Sequence, residues 1–325
     1  MALQALREFV KGPTAPHELE AITGGRGLYL PPAAGAEVSE LLAVESVAEM
    51  TAGVVELRNL LPGGDLFHSS VLALMCGTLV ENGADPGAAI DATMDLFREV
   101  LDALAEQPDE LVRAAGQLTF MATMTMLSRS KETRKRWRAN PEIIERLDDL
   151  EDAHLVPWFL REIFTLHDDL ELLVLDPKNR RAFEFRLTGV RDRLYHAYAL
   201  IQDALLRHTG PGYLDAEPVD PAVVRYARNH ALTQEEFEAR ALLDHQRFNF
   251  TFPGALFMPG SGSPLELPLH NGRRVLVVEP KGIHFNWNPA NMYGIAHQAL
   301  QASADLVREL DPAEAEALLT SLCLT

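Results

Sequence analysis

The residues best suited to chemistry lie in three short stretches. Glu151-x-x-His154 has the i, i+3 spacing with which a helix presents two metal ligands on one face. His167-Asp168-Asp169-x-Glu171 follows closely, so Glu151, His154, His167 and Asp168 form a candidate metal set. A dinuclear centre would need the Glu-x-x-His motif twice, and it occurs once. A helix end also accounts for the later cluster without a metal, since solvated acids and a C-terminal histidine suit that position.

The second stretch runs from Glu279 to Tyr293 and gathers His284, Asn286, Trp287, Asn288 and Tyr293 where a strand is expected to enter a helix. On a strand, His284, Asn286 and Asn288 point one way and Phe285 and Trp287 the other. Such a polar row at the free N–H groups of a helix start can orient a ligand. The competing reading is structural, with Asn288-Pro289 as N-cap and first helical residue and Trp287 in the core.

The third is a basic island, with Arg134, Lys135 and Arg138 as a candidate contact for an anion or acidic partner. Residues 127–140 hold six bases and one acid, whereas residues 1–126 hold 18 acids and six bases. Pairing within the chain, toward the acidic helix that follows, is the alternative reading.

Other chemistries lack their residues. Gly24-Gly25-Arg26-Gly27 has no preceding strand and no GK[ST], so it is read as a loop. Gly260-Ser-Gly-Ser263 is not a G-x-S-x-G elbow and is read as a linker between strands. Cys76 and Cys323, far apart, make no CxxC pair. The eleven histidines include no HxH or HExxH, and no motif names a cofactor. A net charge of −18 opposes binding to phosphate backbones and anionic membranes. No apolar run approaches the roughly 20 residues that span a bilayer. The first ten residues lack the basic and apolar regions of a signal peptide, so a cytoplasmic location is expected.

These residues must be positioned by helices at first. The hydrophobic spacing predicts helices over 38–59, 67–83, 86–106 and 108–127, then over 141–153 and 157–167, as a bundle or stack of helical pairs. Beyond residue 167 the period changes. Glu171–Asp176, Pro177-Lys-Asn-Arg180 and Arg181–Thr188 read as strand, turn and strand. Asn271-Gly272 between two apolar runs predicts a second hairpin over 265–279. Thr233-x-x-Glu236 reads as a capping box. A final helix is expected over 289–308, and Asp311-Pro312 opens a short terminal one.

The expected architecture is mainly α: a helical domain, 1–167, and an α+β region, 168–325, with small antiparallel hairpins packed on the helices. The expected function is a non-catalytic protein binding another protein, a second copy of itself or a small molecule. The alternative is an enzyme with a pocket between the helical and hairpin regions, metal-dependent if the acidic set is used.

Overall fold

In a computed structural model the chain is described over residues 3–106, 108–138, 140–150, 155–239, 243–253, 260–282 and 299–324. It divides into two compact units, Met1–Phe164 and Thr165–Thr325. The architecture is broadly α+β, helical at first and built on a mixed sheet in the second unit. Among the described residues no helix is long and apolar enough to cross a membrane.

The first unit contains α1 (Gln4–Lys11), α2 (Pro16–Thr23), α3 (Pro32–Leu42), α4 (Val47–Leu60), α5 (Leu66–Glu81), α6 (Ile90–Ala105), α7 (Glu110–Arg129), α8 (Lys131–Trp137), α9 (Pro141–Leu150) and α10 (Leu155–Phe164). The single helix expected over 38–59 is instead α3 and α4. Pro32 supplies a fixed φ at the start of α3, and the chain leaves helical geometry before Ser46, whose φ of −79° and ψ of 125° are extended. α5 and α7 pack together at the centre, with α4 against α5 and α6 and α10 against α7. α5 is buried on nearly every side, whereas α7 keeps an outer stripe at Arg113, Gln117, Met121 and Met124 that turns apolar along its length. Phe97 of α6 is fully buried and lies between Phe120 and Phe164, at ring distances of 5.7 Å to each.

The second unit is one six-stranded mixed sheet rather than separate small hairpins. It comprises β1 (Leu170–Asp176), β2 (Arg181–Thr188), β3 (Phe248–Thr251), β4 (Leu269–His270), β5 (Arg273–Pro280) and β6 (Ser303–Glu309). The strand order is β3-β5-β1-β2-β6, with β4 also on β5. β1 and β2 are antiparallel around the 177–180 turn, while β1 and β5 run parallel, with Leu173 opposite Val275 and Leu175 opposite Val277. Asn271 and Gly272 take φ values of 50° and 78°, which suit these residue types in a two-residue turn.

The sheet is covered on both faces, which is why β1 and β5 are continuously apolar. Leu172, Val174, Phe183, Phe185 and Leu276 face α11 (Leu194–Thr209). Leu173, Leu175, Val275 and Val277 cluster with Leu310, Ala315 and Leu319, the last two on the terminal helix α14 (Pro312–Ser321). The short helices α12 (Pro221–Ala227) and α13 (Gln234–Ala239) lie between α11 and β3 in the chain. Thr233 and Glu236 make both bonds of a capping box, at 3.0 and 3.2 Å.

The helix expected over 289–308 is corrected over its last part, because Ser303–Glu309 pair with β2 as strand β6. Hydrogen bonding along the sheet outweighs a weak helical period here. The register slips between Glu184 and Phe185, so Val307 is left without an opposite residue and is exposed. A bulge with flanking charges protects this edge from pairing with another strand.

The end of the β1–β2 hairpin is closed by charge. Arg181 donates both Nε and an Nη to Glu309 at 2.6 and 2.8 Å, and His208 Nε2 lies 2.8 Å from the same carboxylate. The Arg181 fork holds the Glu309 carboxyl down to about 2 against the upward push of burial, with His208 assisting. A carboxyl depressed on folding stabilises above its ordinary value of 4.5 and loses that contribution as pH falls toward about 2. Glu309→Gln is therefore expected to cost about 1 kcal/mol at neutral pH. The deficit should shrink as urea midpoints are measured from pH 5 downward, and a constant deficit to pH 3 would contradict the assignment. In the other unit, Phe97→Ala should cost about 3–5 kcal/mol in the same assay.

Candidate functional site

A pocket of about 330 Å³ opens in the helical unit where α4 turns into α5. Its apolar walls are Leu61, Pro62, Leu66, Ala92 and Leu96. Its polar groups are Arg58, Asp65, Ser69, Asp95 and Glu99. The volume lies within the roughly 300–1,000 Å³ of small-molecule sites.

Local chemistry explains how each polar group is placed. Leu61-Pro62-Gly63 forms a single 3₁₀ turn, and Asp65 then caps α5. One Asp65 oxygen accepts from the His68 backbone N–H at 2.9 Å. The other accepts from the Thr14 N–H at 3.0 Å and the Thr14 hydroxyl at 2.7 Å. Burial pushes the Asp65 carboxyl upward, but those three donors and the nearby His68 ring outweigh it and hold it below its ordinary value. Asp65 is thus a fixed anion on the pocket wall. Asp95 and Glu99 stand one turn apart on α6, exposed, and make no ion pair among the described residues. Arg58 donates to the Ala88 carbonyl at 3.1 Å and to Asn59 Oδ1 at 3.0 Å, both neutral acceptors. Ser69 gives its proton to the Leu61 carbonyl at 2.7 Å. The pocket therefore holds three carboxylates and one guanidinium.

Behind Asp65 lies a buried imidazole. His68 is 1% exposed, its Nε2 is 3.2 Å from Glu18 Oε2, and its Nδ1 is 3.4 Å from Asp65 Oδ1. The Phe9 ring closes on it at 4.5 Å. Glu18 also accepts the Ala15 N–H at 3.0 Å. The sequence offered no motif for this set, because Thr14 and Glu18 lie about the start of α2 and Asp65 and His68 at the start of α5, some fifty residues on. Asp65 alone was detectable, as the acid after Pro62-Gly-Gly that begins a helix.

Two of the four metal candidates are among the described residues. His167 and Asp168 sit at the start of β1, where the His167 backbone pairs with Val190 at 2.7 and 3.1 Å. The His167 side chain is buried, with Nε2 2.6 Å from Asp192 Oδ1. Asp168 accepts the Gly189 N–H at 3.0 Å. Glu151 and His154 are outside the described residues. Among those described, no group of three or more His, Cys, Asp or Glu side chains is placed to hold a metal ion.

Ser263 also donates to Asp192, so the carboxylate lies between serine and histidine. A serine nucleophile needs the histidine in that middle place, so this trio joins three chain segments instead. The expected linker around it has a definite task. The Gly260 and Gly262 carbonyls accept the Tyr195 and Leu194 N–H groups at 2.8 Å each, satisfying the start of α11. Gly260 is required there, since a Cβ would lie 2.0 Å from the Tyr195 ring.

His284, Asn286, Trp287, Asn288 and Tyr293 fall outside the described residues. Of the basic island, Arg134 is buried and donates to the Leu127 and Ser128 carbonyls at 2.7 and 3.2 Å, capping the end of α7. Lys135 is exposed and Arg138 half-buried. Arg136 pairs with Asp91 of α6 rather than with the acidic helix that follows it. Arg98 lies over Trp137 at 5.9 Å.

Two further reactive groups are quiet. Burial pushes the Cys76 thiol up to about 12, leaving it protonated and unreactive. Burial pushes His196 down to about 4, and its Nδ1 accepts from Arg191 N–H while Nε2 donates to the Ala227 carbonyl at 2.7 Å. Both bonds suit one neutral tautomer.

No protein-family model matches the chain, and no curated protein or solved structure matches it.

Asp65→Ala is expected to lower stability by about 1–2 kcal/mol through the lost cap, with Asp65→Asn costing less. Denaturant midpoints of the two variants check the order. Equal losses would show that the carboxylate charge, not the capping geometry, dominates.

Proposed function

We propose that the helical unit is a small-molecule-binding module that takes a compact ligand bearing a cationic group, such as a primary amine on an apolar body. One observation carries this reading: a preformed pocket with apolar walls in which one guanidinium faces three carboxylates, one of them fixed as an anion. An ammonium group bonded to Asp95 or Glu99 forms charge-assisted hydrogen bonds, each worth up to about 1 kcal/mol at these exposed carboxylates. Leu61, Leu66 and Leu96 offer the apolar body a surface to bury.

Non-catalytic binding fits the site better than turnover. The pocket hydroxyl is spent on a carbonyl, and Cys76, buried and protonated, is not a pocket residue. A catalytic reading has one observation in its favour, the buried Glu18–His68 pair behind the pocket wall, although His68 Nδ1 makes no hydrogen bond to Asp65. Chemical change in a bound compound, followed by mass spectrometry, separates the two readings.

Benzylamine is a suitable probe, with benzyl alcohol as its neutral counterpart. Calorimetry and saturation-transfer NMR should show saturable binding of the amine and little of the alcohol. Asp95→Asn/Glu99→Gln should weaken the amine at least about tenfold, equivalent to about 1.4 kcal/mol. Both residues are exposed, so the fold should persist. Equal binding of amine and alcohol, or indifference to the double substitution, would remove the proposal.

A further inference from the structure

On the other side of the Leu61–Gly63 turn a second pocket, of about 280 Å³, is lined by Arg7, Val10, Lys11, Asn59, Leu60 and Gly63. Its polar equipment consists of donors. Arg7 contributes a guanidinium and Lys11 an ammonium. Asn59 Oδ1 already accepts from Arg58, which leaves the amide NH₂ as its donating group. Among the described residues no carboxylate lines the pocket.

The cations are unusual for their surroundings. Residues 1–126 hold only six bases against 18 acids, and two of the six line this pocket. Arg7 and Lys11 stand at i, i+4 on α1, where like charges destabilise a helix by a few tenths of a kcal/mol. Both are exposed, and neither forms an ion pair among the described residues. Lys11 in the last turn complements the helix dipole, but Arg7 lies a turn earlier and gains nothing from it. An oxyanion between the two side chains would relieve their repulsion. The negative field of the rest of the unit is screened over about 8 Å at physiological ionic strength, so the local pair governs the site. Val10 and Leu60 provide apolar walls, and at Gly63 the position of a Cβ meets nothing within 4 Å.

We infer that this pocket is an oxyanion site that binds a small organic anion, its carboxylate or phosphate held by Arg7, Lys11 and the Asn59 amide and its apolar part against Val10 and Leu60. The site is separate from the amine pocket and does not depend on the reading given to it.

The test uses the full chain with two probes, benzoate and phenyl phosphate, titrated at physiological ionic strength by calorimetry and followed by ligand-detected NMR. Saturable binding of either probe is expected, and the preferred one identifies the carboxylate or phosphate class. Arg7→Gln/Lys11→Gln should weaken it at least tenfold, and raising the salt should weaken it further. Gly63→Val, which fills the open space, should also lower affinity. Asp95→Asn/Glu99→Gln should leave the anion affinity unchanged, so this result stands or falls apart from amine binding. Absence of saturable binding to the wild-type chain, or equal affinity in Arg7→Gln/Lys11→Gln, would overturn the inference.

Discussion

The Asp65 carboxylate accepts from the first turn of α5 and from both donors of Thr14, and the helical unit is organised around these three bonds. The cap fixes where α5 begins, and α5 is the helix against which α4 and α7 pack. The Thr14 bonds tie the segment between α1 and α2 to the same point. Three hydrogen bonds to one carboxylate also keep it ionised despite partial burial. The group that starts the central helix is therefore also a permanent negative charge on a pocket wall. Structure and binding chemistry share one residue, so substitutions there alter both.

The two pockets show how a short turn can separate opposite electrostatics. Arg58 and Asn59 are neighbours joined by a hydrogen bond, yet Arg58 lines the carboxylate-rich pocket and Asn59 the cationic one. The turn at Leu61-Pro62-Gly63 sends successive residues to different sides. Pro62 restricts the backbone, and Gly63 leaves open space on the cationic side. Neither pocket needs a long loop, since helices α1, α4, α5 and α6 and the short turn between α4 and α5 form the walls.

Local signals in the sequence were faithful where the chain decides its own conformation. Asn271-Gly272, the Thr233–Glu236 box and Asp311-Pro312 each specify geometry within four residues, and each has that geometry. Signals failed where distant segments decide. Leu172–Leu175 and Val275–Val278 each lie in an antiparallel pair about the turn the sequence marks, but their parallel pairing with each other, which joins the two pairs into one sheet, shows only as unbroken apolar runs. Ser303–Glu309 has ambiguous spacing, and only pairing with β2 makes it a strand. The chemistry-bearing set was less legible still. His167-Asp168 drew attention because its members are adjacent, although their bonds to Asp192 and Gly189 secure the start of β1. Glu18 and His68 are 50 residues apart, and no spacing rule connects them.

The distribution of charge separates structural from binding roles better than residue type does. Arg134 is by sequence a candidate for an external anion, but its guanidinium turns inward to the buried carbonyls at the end of α7. Arg181 is committed to Glu309 and lies over Phe183 at 5.0 Å and Tyr213 at 5.2 Å. Each of these cations compensates something in the fold. Asp95 and Glu99 on one side of the Leu61–Gly63 turn, and Arg7 and Lys11 on the other, form no ion pair among the described residues, and only Lys11 gains from its helix end. Placing like charges one helical turn apart has a small energetic cost, and no ion pair among the described residues offsets it here. An external counter-charge is the simplest physical account of both pairs, because in each case a pocket of molecular size stands beside the charges and apolar walls complete it.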